Sequence, residues 1–202
     1  MDIKLAVEAL SKDPKMRRLI KDYDSPNFNP GNDYFQSLMR SIVFQQLSGK
    51  VANVIYQRLI NLLPNNKIIP REVLMLTRDS MKKVGLSYQK INYIKNLANY
   101  FNTNLFSPNQ VEKMTEAEIS KQLIQIKGIG QWTIDMFLMF TLNRTDVMPY
   151  LDLGIQKGMK ILFNLNKLPT KNEREALSIT WKPYRTVACW YLWKIVDDGF
   201  EW

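Results

Sequence analysis

Residues 123–133 read LIQIKGIGQWT, in which Gly128-Ile129-Gly130 interrupts two helical patterns. Glycine lets a backbone turn sharply, adopt positive φ and bring its N–H groups close to another surface. N–H groups presented at the start of a helix suit a phosphate, and Lys127 adds a positive charge beside them. From the glycines alone, a tight packing turn between two helices is an equally good explanation.

The residues around the glycines favour phosphate binding over simple packing. Ile126 and Ile129 can anchor the turn in the core. Thr133 can cap the first turn of the following helix. The turn is therefore predicted to be a helical hairpin whose tip faces a phosphate.

A lone carboxylate, Asp152, follows 22 residues after Gly130, directly behind Pro149-Tyr150-Leu151. An aspartate just before a helical pattern is typical of an N-cap. The N–H groups and the positive dipole end of that helix favour an ionised carboxylate. Capping alone and capping combined with catalysis both fit the local sequence.

The composition is that of an ordinary globular protein. The chain has 202 residues, 46% of them hydrophobic, which suits one large or two small domains. Its longest near-apolar run, residues 136–142, is far too short to cross a bilayer, and the N-terminus lacks the apolar core of a signal peptide. We therefore expect a soluble protein with no membrane partner, in the cytoplasm and nucleoid, or in the nucleus of a eukaryote.

The chain is basic, with 28 Lys and Arg against 19 Asp and Glu and a formal net charge of +9. Such an excess favours polyanionic partners such as nucleic acid, although it also serves solubility. Basic residues lie around the hairpin and in the segments after it: Lys127, Arg144, Lys157, Lys160, Lys182 and Arg185. A basic face there would serve phosphate binding.

Histidine is absent, and Cys189 is the sole cysteine. Imidazole chemistry is therefore excluded, and neither a structural zinc site nor a four-cysteine iron–sulfur cluster can form within one chain. Cys189 lies in an apolar helical run and is expected in the core. The chemistry must come from carboxylates, hydroxyls, amines or water.

Helical periodicity dominates nearly the whole chain, which predicts an all-α protein. The predicted helices span residues 3–10, 13–22, 33–47, 49–63, 70–76, 79–84, 88–102, 115–124, 131–142, 153–164, 172–178 and 183–197. Asp33 is expected to cap its helix, Thr115 with Glu118 matches a capping box, and Pro183 suits a first helical turn.

Four segments together resemble the helix-hairpin-helix DNA glycosylases, and the resemblance covers nearly the whole chain. They are the hairpin with its downstream aspartate, FQSLMRSIVFQQLS at residues 35–48, VGLSYQK at residues 84–90, and WKPYR at residues 181–185 with Trp193. The last is similar to the C-terminal end of the 3-methyladenine DNA glycosylase II subgroup, which repairs alkylation damage.

The resemblance implies two helical subdomains. Residues 1–30 and 143–202 would form a discontinuous domain of N- and C-terminal helices. Residues 31–142 would form a six-helix bundle that ends in the helix-hairpin-helix, at about residues 115–142. A DNA-binding cleft between the two would hold the hairpin and Asp152 at its mouth.

The resemblance also implies a function. A monofunctional glycosylase would flip alkylated purines, of the 3-methyladenine and 7-methylguanine type, out of double-stranded DNA and hydrolyse their N-glycosidic bonds, with Asp152 as the catalytic residue. The residues implied to contact DNA are Lys127, Gly128, Ile129, Gly130, Gln131, Thr133, Gln46 and Ser48. Those implied to form the base pocket are Trp132, Met136 and Trp193. Gln46 would fill the gap left by the flipped base, a role that Gln45 could exchange with it.

Relatives that also cut the DNA backbone use a lysine amine at the position of Trp132, so no lyase activity is expected here. By the same resemblance no cofactor or metal is required, no iron–sulfur cluster is expected, and a monovalent cation on the hairpin carbonyls is compatible with the family. The chain is expected to act as a monomer. Leu153 and Met136 replace aromatic residues of some subgroup members, which leaves the substrate range open.

Two other functions stay open at this point. A non-catalytic protein that binds damaged or distorted DNA would also use such a hairpin, but it has no need of a carboxylate at position 152. A glycosylase for oxidised or deaminated bases is disfavoured by Trp132 and by the C-terminal motif.

Overall fold

The computed structural model describes residues 1–28, 31, 33–103 and 106–197. Every regular element in these ranges is a helix and none is a strand, so the prediction of an all-α protein is confirmed. None of the helices in these ranges combines the length and the hydropathy that a membrane span requires. The chain divides into two compact units: unit 1 is Met1–Pro30 with Leu138–Trp202, and unit 2 is Gly31–Phe137.

Thirteen α-helices are found in the described residues. They are α1 (Ile3–Leu10), α2 (Pro14–Asp22), α3 (Tyr34–Phe44), α4 (Gly49–Ile60), α5 (Pro70–Met75), α6 (Arg78–Lys83), α7 (Tyr88–Thr103), α8 (Pro108–Val111), α9 (Glu116–Leu123), α10 (Gln131–Met136), α11 (Leu153–Leu162), α12 (Lys171–Leu177) and α13 (Arg185–Val196). Unit 2 holds α3 to α10, more than the six helices expected there, because it includes short segments such as α5, α6 and α8. Helix α8 is a single turn and leaves no periodicity in the sequence.

The boundary between the units falls inside a segment that the sequence presents as one helix. The predicted helix over residues 131–142 is α-helical only as far as Met136 and continues as a π-helix over Phe137–Thr141. π-Helical turns are rare and occur mostly as local interruptions of α-helices. The units separate between residues 137 and 138, five residues before the expected boundary.

Helix α7 organises the core of unit 2. It packs against α3, α5 and α6, while α3 also packs against α4 and α10. An aromatic cluster fills part of this core, with centroids of neighbouring rings 5.2 to 6.4 Å apart: Tyr34, Phe35, Tyr100, Phe101, Phe106 and Phe137. Burying one such ring contributes about 1.5–3 kcal/mol. This packing fixes α10, and with it the end of the hairpin, beside α3.

Helix α13 organises the core of unit 1. It packs against α1, α2 and α11, and Cys189 is buried within it as expected. Gly158 allows α11 to lie close to α13, because a Cβ at that position would overlap the backbone of Leu192 in α13. Buried Trp181 donates its indole N–H to Asp13, the N-cap of α2, at 3.1 Å. Unit 1 therefore offers a rigid base for the segment that carries Asp152.

Local signals set several of the helix starts. Asp33 accepts the N–H of Gln36 at 2.8 Å, and Thr115 with Glu118 forms a capping box, as predicted. The expectation for Pro183 is wrong. Pro183 lies in a turn closed by the Tyr184 N–H on the Trp181 carbonyl, and α13 begins only at Arg185.

Candidate functional site

The hairpin between α9 and α10 is made of two tight turns. The N–H of Ile126 donates to the carbonyl of Leu123 at 3.0 Å, and the N–H of Ile129 donates to the carbonyl of Ile126 at 2.9 Å. Ile126 and Ile129 are buried, which confirms them as anchors of the turn. Lys127 lies between them and is exposed.

The two glycines of the hairpin serve different purposes. Gly128 has φ +110°, and a Cβ there would overlap the ring of Tyr93, so the fold itself requires glycine. Gly130 has an extended backbone with φ −104°, and no atom lies within 4 Å of the position of a Cβ. The protein therefore needs no glycine at position 130, and the open space leaves its backbone accessible to a ligand.

Gln45 connects the end of α3 to the hairpin. Its Nε2 donates to the carbonyl of Gly128 at 3.2 Å and to the hydroxyl of Thr133 at 2.9 Å. Gly130, not Thr133, is the N-cap residue of α10, so the capping role predicted for Thr133 is wrong. Thr133 is buried as the third residue of the helix and instead accepts the Gln45 amide. The sequence contained no local sign of this contact, which joins residues 88 positions apart.

Lys90 fixes the loop between α3 and α4. Its Nζ donates to the carbonyls of Val43 and Gln45, both at 2.7 Å, and burial lowers the pKa of this ammonium. The predicted helix over residues 33–47 ends at Phe44, and Gln46 adopts a left-handed conformation with φ +57°. Gln46 is exposed, whereas the side chain of Gln45 is held by the hairpin. Ser48 occupies the N-cap position of α4 without a side-chain capping bond.

A polar pocket of about 400 Å³ adjoins the hairpin. We call it the hairpin pocket; its lining consists of Gln45, Gln46, Ser87, Gln89, Lys90, Tyr93 and residues 128–130. Gln131 follows on the exposed side of α10 and donates to Asp135 at 2.8 Å. This part of unit 2 thus combines backbone N–H groups at a helix start with amide and ammonium side chains, a combination suited to an anion.

Four carbonyls of the hairpin accept hydrogen bonds within the protein. Those of Leu123 and Ile126 accept backbone N–H groups, that of Lys127 accepts the Asn96 amide at 3.2 Å, and that of Gly128 accepts Gln45. A monovalent cation on any of these four carbonyls would have to share the oxygen with its present donor, and the presence of such a cation stays a prediction. In the described ranges no cluster of three or more Asp, Glu or Cys side chains could hold a metal ion.

Asp152 lies in unit 1 as the N-cap of α11, as predicted. Its Oδ1 accepts the backbone N–H of Ile155 at 2.8 Å and the indole N–H of Trp193 at 2.9 Å. The residue is half-buried. Two donors and the positive end of a ten-residue helix thus hold a negative charge in one fixed orientation.

Gly154 makes room for the bond between Trp193 and Asp152. A Cβ at this position would lie 2.7 Å from Cδ1 and 2.9 Å from Nε1 of the Trp193 indole, too close for either to stay in place. Phe140 packs on the other part of the ring, with centroids 5.8 Å apart. Gly154 was not predicted as part of the site; its only signal in the sequence is a glycine in the first turn of a predicted helix.

Two arginines hold the loop that precedes Asp152. Arg174 is buried and donates to the carbonyls of Pro169 and Tyr150. Arg185 donates to both carboxylate oxygens of Asp146, at 2.6 and 2.9 Å, and to the Tyr150 hydroxyl at 3.3 Å. Burial opposes the charge of Arg185, but the hydrogen bonds and charge of Asp146 outweigh it and raise the pKa of the guanidinium. The loop is therefore clamped from two sides, two residues before the carboxylate.

The profile of the HhH-GPD superfamily of base excision DNA repair proteins matches residues 39–183 of this sequence. The chain belongs to this superfamily. The matched range includes the hairpin and Asp152, so the two features singled out above lie within the superfamily's own region.

Individual members of the superfamily are similar over nearly the whole chain. A protein of Schizosaccharomyces pombe named DNA-3-methyladenine glycosylase 1 is 36% identical over 187 residues, 90% of this chain and 82% of that protein. A solved structure of the S. pombe 3-methyladenine DNA glycosylase in complex with abasic DNA aligns with a TM-score of 0.88 and 35% identity, covering 97% of this chain and 99% of that one. The crystal structure of a DNA-3-methyladenine glycosidase from Bacillus halodurans aligns with a TM-score of 0.79 and 32% identity. The alignment covers 95% of this chain and 89% of that one.

The residues predicted to form a base pocket differ in accessibility. Met136 is 1% exposed, Trp193 is 6% exposed, and Trp132 is half-buried at the start of α10. Leu153, which replaces an aromatic residue of some subgroup members, is exposed beside Asp152. Trp193 contacts Asp152 within unit 1, while Trp132 and Met136 belong to unit 2. A pocket shared by all three, and the cleft expected between the units, stay predictions.

Proposed function

We propose that this member of the HhH-GPD superfamily is a DNA glycosylase that removes alkylated purines, of the 3-methyladenine and 7-methylguanine type, by hydrolysing their N-glycosidic bond. The observation that carries the proposal is the fixed carboxylate of Asp152, hydrogen-bonded by Trp193 and by the first turn of α11. The names of the similar proteins support the substrate class. A protein that only binds DNA would gain the N-cap of α11 from Asp152 but no catalytic benefit.

The chemistry follows from where charge develops. When the N-glycosidic bond breaks, positive charge accumulates on the deoxyribose in an oxocarbenium-like transition state. A carboxylate already oriented by two donors stabilises that charge without reorganising. Asp152 can also orient the attacking water and accept its proton. A purine methylated at N3 or N7 is itself cationic and leaves without protonation by the enzyme, so a site with no histidine suffices.

The damaged nucleotide has to leave the stack, which costs a few kcal/mol and less at a damaged pair. We assign the filling of the resulting gap to Gln46. The amide of Gln45 is engaged by Gly128 and Thr133, whereas Gln46 is exposed in a left-handed turn held by Lys90. We further propose that the aromatic faces of Trp132 and Trp193 contact the flipped base, since such faces attract cationic bases.

DNA is held mainly through its phosphates in this proposal. The backbone around Gly130 and the N–H groups of the first turn of α10 would bind one strand, with Lys127 adding charge. Two further exposed residues would contribute polar contacts: Gln131, next to Gly130, and Ser48, two residues after Gln46. We propose that the chain acts as a monomer, without a cofactor, in the compartment that holds the cell's DNA.

Incubation of the purified protein with methylated duplex DNA tests the proposal. Chromatography of the released bases should show free 3-methyladenine and 7-methylguanine. Binding to the same DNA without release of any base would instead support a non-catalytic damage-binding protein. Preferential release of oxidised or deaminated bases would move the protein to another substrate class.

The product is expected to be an intact strand with an abasic site. Trp132 stands where relatives with lyase activity carry the lysine that forms a Schiff base, so no amine is available at that position. Borohydride should trap no covalent complex between protein and DNA, and strand breaks should appear only after alkali or heat. Efficient trapping by the unaltered protein would overturn the monofunctional assignment.

Replacing Trp193 with phenylalanine should slow excision about tenfold or more, because a hydrogen bond to a charged group contributes about 1.5–3 kcal/mol. The substitution removes the N–H donated to Asp152 together with the pyrrole part of the indole, while a six-membered aromatic face is retained. Single-turnover rates on DNA containing 7-methylguanine measure the effect. Trp190→Phe, which alters a half-buried indole of the same helix, is the matched control. An unchanged rate for Trp193→Phe would remove Trp193 from the positioning of Asp152.

A further inference from the structure

A second groove, of about 680 Å³, runs along α7 in unit 2. One of its walls is a row of amide side chains: Gln89, Asn92, Asn96 and Asn99. Their spacing of three, four and three residues places all four on one face of the helix. Each amide offers both a donor and an acceptor, so this face is polar without being charged. We call it the amide groove.

The charges that line the amide groove are all positive. Arg78, Lys95 and Lys127 take part in its lining, and no Asp or Glu does. Arg78 and Lys127 are exposed, and neither forms an ion pair with any residue in the part of the chain that the structure describes. Lys95 is fixed, since its Nζ donates to the carbonyls of residues 73, 74 and 76 at 2.6 to 3.0 Å. These like charges repel each other in the free protein, and an anion in the groove would relieve that repulsion.

The amide groove is continuous with the hairpin pocket. Gln89 and Tyr93 line both, and the amide of Gln89 donates to the Tyr93 hydroxyl at 2.5 Å on the wall between them. Asn96 donates to the carbonyl of Lys127, the residue just before the hairpin glycine Gly128. A ligand strand bound at the hairpin would therefore reach the amide groove without a gap.

We propose that the amide groove binds the phosphodiester backbone of the duplex that flanks the damaged base. The inference rests on the proposed function in taking DNA as the ligand. The row from residue 89 to residue 99 spans about 15 Å of helix. With an axial rise of about 3.4 Å per nucleotide on one strand, this length extends over several nucleotides. Arg78 and Lys127 supply the charge, while the amides contact phosphate and sugar oxygens without reading base edges.

The test uses the full chain and a long undamaged duplex of about 24 base pairs, which extends over more than two helical turns and so covers the hairpin and the groove together. Arg78→Gln removes one charge, and the double substitution Asn92→Asp with Asn99→Asp adds two negative charges at constant size. Lys4→Gln and the double substitution Asn166→Asp with Asn172→Asp change the same charges at exposed positions of unit 1 and serve as controls.

Fluorescence anisotropy should show weaker binding of the long duplex by about fivefold for Arg78→Gln and about tenfold for the double substitution, with the controls unchanged. Arg78→Gln should also lower the slope of log affinity against log salt by about one. Equal affinity of every variant for the long duplex would overturn the proposal, and so would an equal loss in the control variants. Because undamaged DNA is used, failure of base release in the excision assay would leave this result unaffected.

Discussion

Asp152→Asn is expected to lower the rate of base excision about a hundredfold or more, the usual effect of removing one preorganised electrostatic group. The substitution removes the negative charge that faces the developing oxocarbenium ion. It preserves the shape of the side chain and an oxygen that can still accept the N–H groups of Ile155 and Trp193. Asparagine is also a good N-cap, so α11 should stay folded. Single-turnover rates on DNA containing 7-methylguanine measure the loss.

Asp33→Asn is the matched control for this substitution. Asp33 caps α3 through the same kind of bond, to the N–H of Gln36 at 2.8 Å, but lies in unit 2 and has no proposed role in the reaction. Its excision rate should equal that of the unaltered protein, and both variants should bind undamaged DNA normally. An Asp152→Asn protein that excises at a near-normal rate would refute the assignment of Asp152.

Gly128→Ala is expected to destabilise the protein by about 3 kcal/mol and to abolish tight DNA binding. A positive φ costs a non-glycine residue about 1–3 kcal/mol. In addition, the new methyl group would overlap the ring of Tyr93 and force the hairpin apart. Chemical denaturation followed by circular dichroism measures the free energy of unfolding, and anisotropy measures affinity.

Gly130→Ala provides the contrast within the same hairpin. The backbone at position 130 is extended and no atom lies within 4 Å of the added Cβ, so stability should change by less than about 0.5 kcal/mol. The methyl group would nevertheless stand between the hairpin backbone and a phosphate. The affinity of this variant for undamaged DNA and its affinity for damaged DNA should therefore fall by the same factor. Normal DNA binding by this stable variant would show that the hairpin does not grip phosphates through residue 130.

Features set by neighbouring residues were predictable from the sequence. The caps at Asp33, Asp152 and the pair Thr115 and Glu118 follow from side chains that bond backbone groups three positions away. The helical periods and the buried isoleucines of the hairpin were predictable for the same reason. Residue type and short spacing are sufficient in each case.

Features set by distant contacts were not predictable. Helix α3 was expected to run on to residue 47, but it ends at Phe44. At this point the Lys90 ammonium donates to the Val43 carbonyl, and the Gln45 side chain donates to the hairpin. The sequence predicts Thr133 as a helix cap. In the structure its hydroxyl is instead a buried acceptor of the hydrogen bond that the Gln45 amide donates. The π-helical turn after Met136 likewise has no proline or glycine to mark it.

The candidate site also combines features that the sequence predicts with features that depend on distant contacts. Asp152 and Trp193 were found from a motif, but their mutual hydrogen bond depends on the space left by Gly154. The clamp on the preceding loop depends on Arg174 and Arg185, which are 24 and 35 residues from the Tyr150 atoms that they contact. Such long-range geometry requires the folded structure.

The most direct test of the role of Asp152 is the binding of a charged analogue of the transition state. A duplex with a cationic pyrrolidine in place of the damaged nucleotide carries the positive charge, whereas one with a neutral tetrahydrofuran has the same shape without it. The unaltered protein should bind the pyrrolidine duplex about a hundredfold or more tightly than the tetrahydrofuran duplex, as expected for a site complementary to the transition state. Asp152→Asn should lose most of this preference and bind the tetrahydrofuran duplex normally. The same preference in both proteins would contradict electrostatic stabilisation by Asp152.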